Sequence, residues 1–247
     1  RKSSNSASVR CRRSSARLRR RALVDIHTTL RHRVPTRHSP YAWSVGAVVG
    51  FDLDMTLVDS HVAITSSLDH VCRSYGVRHS AAELGARVGL PLAEVLDDLV
   101  PGVDVDEAAR RYRDFYMRTA LSTTTVMTGA ASALTQVNAT GGTTVVVTAK
   151  REDQARMVLN HVGLNVDHVI GDAFGLEKGD ALWEIGAQVY VGDHPGDMAG
   201  ARRADAIAIG LLTGGHTDAE LTAAGADIVL ANLEPFGGWY AQWLTRR

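Results

Sequence analysis

The chain has 247 residues, 45% apolar and 22% charged, so it can bury a sizeable core and reads as a soluble, globular sequence. Its zero net charge hides an asymmetry, because Arg1 to Tyr41 is dense in basic residues with a single acid, Asp25, and the remainder is acidic. No apolar stretch approaches the roughly 20 residues of a membrane span, and Cys11 and Cys72 lie in unlike surroundings, which argues against a disulfide framework and fits a reducing cytoplasm.

First in chain order is a basic, Ser/Arg-rich arm, residues 1–45, without a sustained apolar period. It cannot bury enough surface to offset its ordering entropy and is expected to be mostly disordered. Three roles stay open for it: a tether to nucleic acid or another anionic surface, an organellar-type presequence, or a solvated extension. A secretory signal is disfavoured, since Ala22-Leu23-Val24 is cut short by Asp25 and followed by His27 and Arg31.

From Gly46 onward, β-type runs alternate with helical patterns, which predicts a parallel sheet with helices on both faces. Strands are expected at 47–51, 143–148, 168–170, 189–191, 206–209 and 227–230, and helices at 151–162, 179–186, 197–203 and 218–224. The gap from Ser60 to Thr125 is helical in pattern throughout, with Ile64, Leu68, Val71 and Cys72 on one face and Ala108, Tyr112, Phe115 and Tyr116 on another. It is far longer than a crossover requires. The expected fold class is therefore α/β, a Rossmann-like sheet formed by 46–60 and 125–247, with a small α-helical cap at 61–124 perched over the sheet's carboxyl edge as a lid.

The stretch Val48-Val49-Gly50-Phe51-Asp52-Leu53-Asp54-Met55-Thr56 runs an apolar strand into two carboxylates one residue apart. Alternate side chains of a strand share a face, so Asp52 and Asp54 would point at one small volume. Two such anions need a shared proton or a cation; a divalent metal that prefers oxygen meets the need, and an ionised carboxylate can attack phosphorus. The plainer reading is a pair of turn or helix-capping aspartates. Lysine usage adds an independent hint: the chain has only Lys2, Lys150 and Lys178 against abundant Arg, and two of the three fall in strand-end loops, where a compact ammonium fits better than a forked guanidinium.

Asp-x-Asp-x-Thr after a hydrophobic strand resembles the first motif of the haloacid dehalogenase-like phosphohydrolases. Three further motifs follow in family order: Val145-Val146-Val147-Thr148, Lys178 in Glu177-Lys178-Gly179, and Gly192-Asp193-His194-Pro195-Gly196-Asp197. The resemblance spans roughly Gly46 to Leu233 and departs from the family pattern at Met55, where relatives usually have Gly, and at Lys178-Gly179, where many have Lys-Pro. It implies Asp52 as nucleophile and Asp54 as general acid/base. Thr148 and the adjacent backbone at Ala149 would hold the phosphoryl group, with Lys178 neutralising charge. Mg²⁺ would sit on Asp52, Asp193 and the backbone carbonyl of Asp54, with Asp197 behind. His194 receives no role. Lys150 occupies a position often basic in phosphoglycolate phosphatase-like proteins, but on residue type it reads equally as a solvated surface lysine.

The implied activity is Mg²⁺-dependent hydrolysis of a small phosphomonoester, a phosphoglycolate-like acid or a sugar phosphate, through an aspartyl-phosphate. Asp54 disfavours C–halogen hydrolysis, which has no alcohol to protonate. A phosphosugar mutase of the same family is the nearest rival. Those enzymes carry a His about a turn into the cap helix, where this chain has Ile64 and Thr65, and His61 falls too early. A non-catalytic nucleic-acid binder using the arm is the rival from another class, and nucleic acid is the less favoured partner. Arg87-Val88-Gly89-Leu90-Pro91-Leu92 resembles a substrate loop of phosphoglycolate phosphatase-like proteins, so Arg78 and Arg87 are candidates to meet a substrate carboxylate, although both also read as solvated charges.

Overall fold

The computed structural model describes residues 46–247, and the expectations for the arm lie outside them. Six parallel strands form one sheet: β1 (Val48–Phe51), β4 (Thr143–Val147), β5 (His168–Ile170), β6 (Val189–Gly192), β7 (Ile207–Leu211) and β8 (Ile228–Leu230), in the order β5-β4-β1-β6-β7-β8. The chain steps outward from β1 through β4 to β5, then crosses to β6 on the other side of β1. The strand order therefore reverses beside β1, the place where open α/β sheets bind ligands at their carboxyl ends.

Alternation along β1 divides the core. Val49 and Phe51 face one apolar cluster, and Val48 faces the other. The second cluster is closed by α7 (Leu176–Glu184), α8 (Pro195–Arg203) and α9 (Asp218–Ala223), which bury Leu182, Met198 and Leu221. The first is closed by α5 (Ala130–Ala139), α6 (Glu152–Val162) and α10 (Phe236–Leu244), through Leu134, Val158 and Phe236. Fully buried side chains of this size each contribute about 1.5–3 kcal/mol of transfer free energy. Gly50 is the exception among the strand's large residues: a Cβ there would lie 2.8 Å from both Leu182 and Tyr190, so α7 packs close to the sheet because that side chain is missing.

Between β1 and β4 the chain leaves the sheet through a tight turn, Leu53 to Val58, into the two-residue strand β2 (Val58–Asp59), and returns by β3 (Thr125–Val126), antiparallel to β2. The intervening segment holds α1 (His61–Ser74), α2 (Ala81–Gly85), α3 (Leu92–Leu99) and α4 (Val105–Phe115), then a π-helical turn, Tyr116–Ala120. α1 buries Ile64, Leu68, Val71 and Cys72, the face its periodicity predicts, and α4 buries Ala108 and Tyr112. Ser80 and Asp104 cap α2 and α4 by accepting backbone N–H groups.

Several boundaries differ from expectation. α7 begins at Leu176, so Lys178 sits inside its first turn. α8 begins at Pro195, a residue preset for a first helical position, with the His194 ring accepting from Gly196 N in the place of a conventional cap. β7 runs two residues past the expected 206–209. α5 and α10 were not anticipated. No helix among the described residues is long and apolar enough to cross a membrane.

Candidate active site

β1 delivers Asp52 to the carboxyl edge, where its backbone N–H donates to Val191 O at 2.8 Å. β6 delivers Asp193 on the neighbouring strand, and α8 delivers Asp197. Carboxylate oxygens of these three buried residues lie within 4.8 Å of one another. Lys178 enters from α7: its Nζ stands 2.9 Å from Asp52 Oδ1 and donates to Asp197 Oδ1 at 2.6 Å. The structure thus gathers Asp52, Asp193, Asp197 and Lys178, which are up to 145 residues apart in the chain, at one rim.

Asp54 stands apart from this cluster. Its Oδ2 lies 3.3 Å from Lys150 Nζ, and its Oδ1 is buried without a hydrogen-bond partner. The surface reading of Lys150 is therefore corrected. Its side chain is 9% exposed, and the ammonium lies 4.6 Å over the ring of Tyr116, supplied by the π-helical turn. Burial alone would lower the Lys150 pKa, but Asp54 and Tyr116 more than offset it and the group is held charged. Thr148, just past β4, is buried, and its Oγ1 accepts from Lys150 N at 3.2 Å.

The rim's electrostatics are unbalanced. Burial raises the Asp52 pKa to about 7 despite the pull of Lys178, with Asp197 and Asp54 adding repulsion. Asp193 is raised as well, by burial and then by Asp197 and Asp52, against the Thr56 hydrogen bond. Lys178 is held well above its usual range because Asp197 and Asp52 outweigh its desolvation. The three carboxylates have one ammonium beside them, paired with Asp52 and Asp197, and Asp52 Oδ1 has an ionic neighbour but no aligned hydrogen bond. Such a hard-oxygen donor set, with a surplus of negative charge, fits a divalent cation.

Three residues that matter here carried no assignment from sequence. Thr56 Oγ1 donates to Asp193 Oδ1 at 2.9 Å and fixes that carboxylate. Tyr190 donates to Val147 O at 2.7 Å, with its hydroxyl 3.4 Å from Asp197 Oδ1; a Tyr in the middle of an apolar parallel strand was the available signal. Gly214 lets the loop after β7 pass beside Asp193, where a Cβ would lie 2.1 Å from Oδ2. Met55, the departure from the family pattern, adopts φ 60°, a left-handed conformation that explains why Gly suits the position.

A cavity of about 570 Å³ opens over the rim, lined by Asp52, Asp54, Thr148, Ala149 and Lys150 below and by the insertion above. Arg87 and Gly89 to Leu92 line it, and Arg87 pairs with Asp98; Arg78 is exposed and is not among its walls. Asp193 faces a second cavity of about 480 Å³ together with His61, His194 and His216.

A parallel sheet with carboxylates collected at its carboxyl edge beside a cavity is the arrangement of an α/β enzyme. Residues 49–173 match the family model for haloacid dehalogenase-like hydrolases, and the chain belongs to that family. It is 29% identical over 202 residues to a phosphoglycolate phosphatase of Agrobacterium fabrum, covering 73% of this chain and 86% of the relative. It is 30% identical over 179 residues to the tyrosine-protein kinase PtkA of Mycobacterium tuberculosis, covering 66% of this chain and 62% of that protein. Among solved structures, a predicted phosphatase from Clostridium acetobutylicum aligns with TM-score 0.70 at 22% identity, covering 80% of this chain and 99% of that one. The expected fold class and the expectation of a haloacid dehalogenase-like phosphatase are met at this level.

Proposed function

We propose that the protein hydrolyses a small phosphomonoester through an aspartyl-phosphate on Asp52. The observation that carries this reading is the buried Lys178 bridging Asp52 and Asp197 beside a separately held Asp54, all at the floor of one rim. An Asp52 oxygen forms the bond to phosphorus as the bond to the leaving oxygen breaks, and Asp54 supplies the proton that the alkoxide takes up. Asp54 then removes a proton from the water that displaces phosphate from Asp52. Thr148 Oγ1 and the backbone N–H groups near Ala149 hold the transferring group, and Lys178 offsets its charge.

Mg²⁺ is the cation this donor set suits; Asp52, Asp193 and the Asp54 carbonyl would hold it, and it would supply charge neutralisation for the phosphoryl oxygens. Asp197, already bonded to Lys178 and to His194 N, positions those groups. In the same reading residues 61–124 are the cap, residues 46–60 and 125–247 the catalytic core, and the buried unpaired Cys72 suits the cytoplasm. The phosphoglycolate phosphatase relative supports a small phosphorylated acid as substrate. A mutase is disfavoured because no histidine lines the larger cavity among the described residues, and His61 faces the other one. A phosphate-release screen over small phosphomonoesters, with and without Mg²⁺ and with Asp52→Asn as control, tests the proposal. Release that survives in Asp52→Asn refutes it.

A further inference from the structure

Four cationic side chains line the larger cavity: Arg87, Arg113, Lys150 and Arg151. Three are already engaged, with Asp98, Asp54 and Asp153 respectively. Among the described residues Arg113, on α4, makes no ion pair within 4.0 Å, and its buried Nε has no hydrogen-bond partner. Its neighbours on the same helix behave differently, since Arg110 and Arg111 both turn to Glu107. Arg113 is partly desolvated and is repelled by Arg151, while Asp153 and Asp172 attract it from beyond pairing distance. A guanidinium does not escape this position by losing its proton. A partly buried, unspent fork facing a cavity whose floor bears the reacting carboxylate is suited to a planar or tetrahedral anion bound through two parallel hydrogen bonds.

Resting on the phosphatase reading, we propose that the substrate carries a second anionic group, a carboxylate or a second phosphate, which Arg113 binds while the phosphoryl group is taken by Asp52. Neutral sugar monophosphates would leave Arg113 unsatisfied and be poor substrates. The cavity has room for a molecule that reaches from the rim to α4.

The test compares matched phosphomonoesters on the full chain with Mg²⁺: 2-phosphoglycolate against 2-hydroxyethyl phosphate for the carboxylate, and fructose 1,6-bisphosphate against fructose 1-phosphate for the second phosphate. The wild type should favour the doubly anionic member of one pair by at least about tenfold in kcat/KM, expressed mainly in KM. The pair that shows it identifies the anion. Arg113→Gln should bring that ratio to near one while leaving the neutral member within about twofold, and Arg113→Lys should retain part of the preference. If Arg113→Gln does not fold, Arg113→Lys and the wild-type ratio decide by the same criterion. Equal wild-type rates within both pairs, or loss of both members in proportion on substitution, overturn the assignment. No phosphate release from any compound by the wild type overturns the phosphatase reading itself, and this inference with it.

Discussion

Asp52 and Lys178 at the rim, and Arg113 in the insertion, are held by different kinds of structure. The rim side is anchored to strands buried on both faces, and its charged groups are locked to one another at 2.6 and 2.9 Å. The insertion side is built from short helices joined to the sheet through a two-residue antiparallel ladder, and most of its charges pair at the surface. In the proposed reading the tightly paired rim places charge and the insertion meets the leaving group. In the proposed mechanism, therefore, substitutions at the rim change turnover and substitutions in the wall change selection.

The strongest attempt to break this contrast is Asp52→Asn, expected to lower phosphate release by at least about 10³-fold with the fold intact by circular dichroism. Lys178→Met should follow, with about 10²- to 10³-fold lower kcat. It should also lose about 3–5 kcal/mol in urea unfolding, because it leaves Asp52 and Asp197 buried without their counter-ion. Leu96→Ala, at a fully buried core position of α3 in the insertion, should cost about 2–5 kcal/mol of stability and leave kcat within a few-fold below its melting range. Lys150→Met sharpens the comparison, since Lys150 belongs to the rim but touches Tyr116 of the insertion. The expected result is about tenfold lower kcat with KM nearly unchanged. Arg87→Gln removes a largely exposed pair with Asp98 and should change stability by less than about 1 kcal/mol.

How much of this was legible depends on whether the signal was local. Apolar strands that end in Asp52, Thr148 and Asp193 announce a parallel sheet with polar carboxyl ends, so the sheet and the order of its site residues were readable. α10 was not, because Gly237 and Gly238 weaken its helical signal; its aromatic face on α5, including Tyr240 near Thr140 at 3.3 Å, supplies what propensity lacks. The cap on α8 escaped notice because a histidine ring performs it. Burial of Lys150 was illegible for a different reason. It depends on Tyr116, 34 residues earlier, being aimed by an irregular turn, and on Asp54, almost 100 residues away. The Thr56–Asp193 hydrogen bond spans 137 residues and leaves no trace in either segment alone.

The central claim is that Asp52 becomes phosphorylated, and acid-quench labelling with a ³²P-phosphomonoester followed by peptide mass spectrometry tests it most directly. Label on the peptide containing Asp52, dependent on Mg²⁺ and absent from Asp52→Asn, is the predicted result. Turnover without label on that peptide, proceeding equally in Asp52→Asn, would contradict the account.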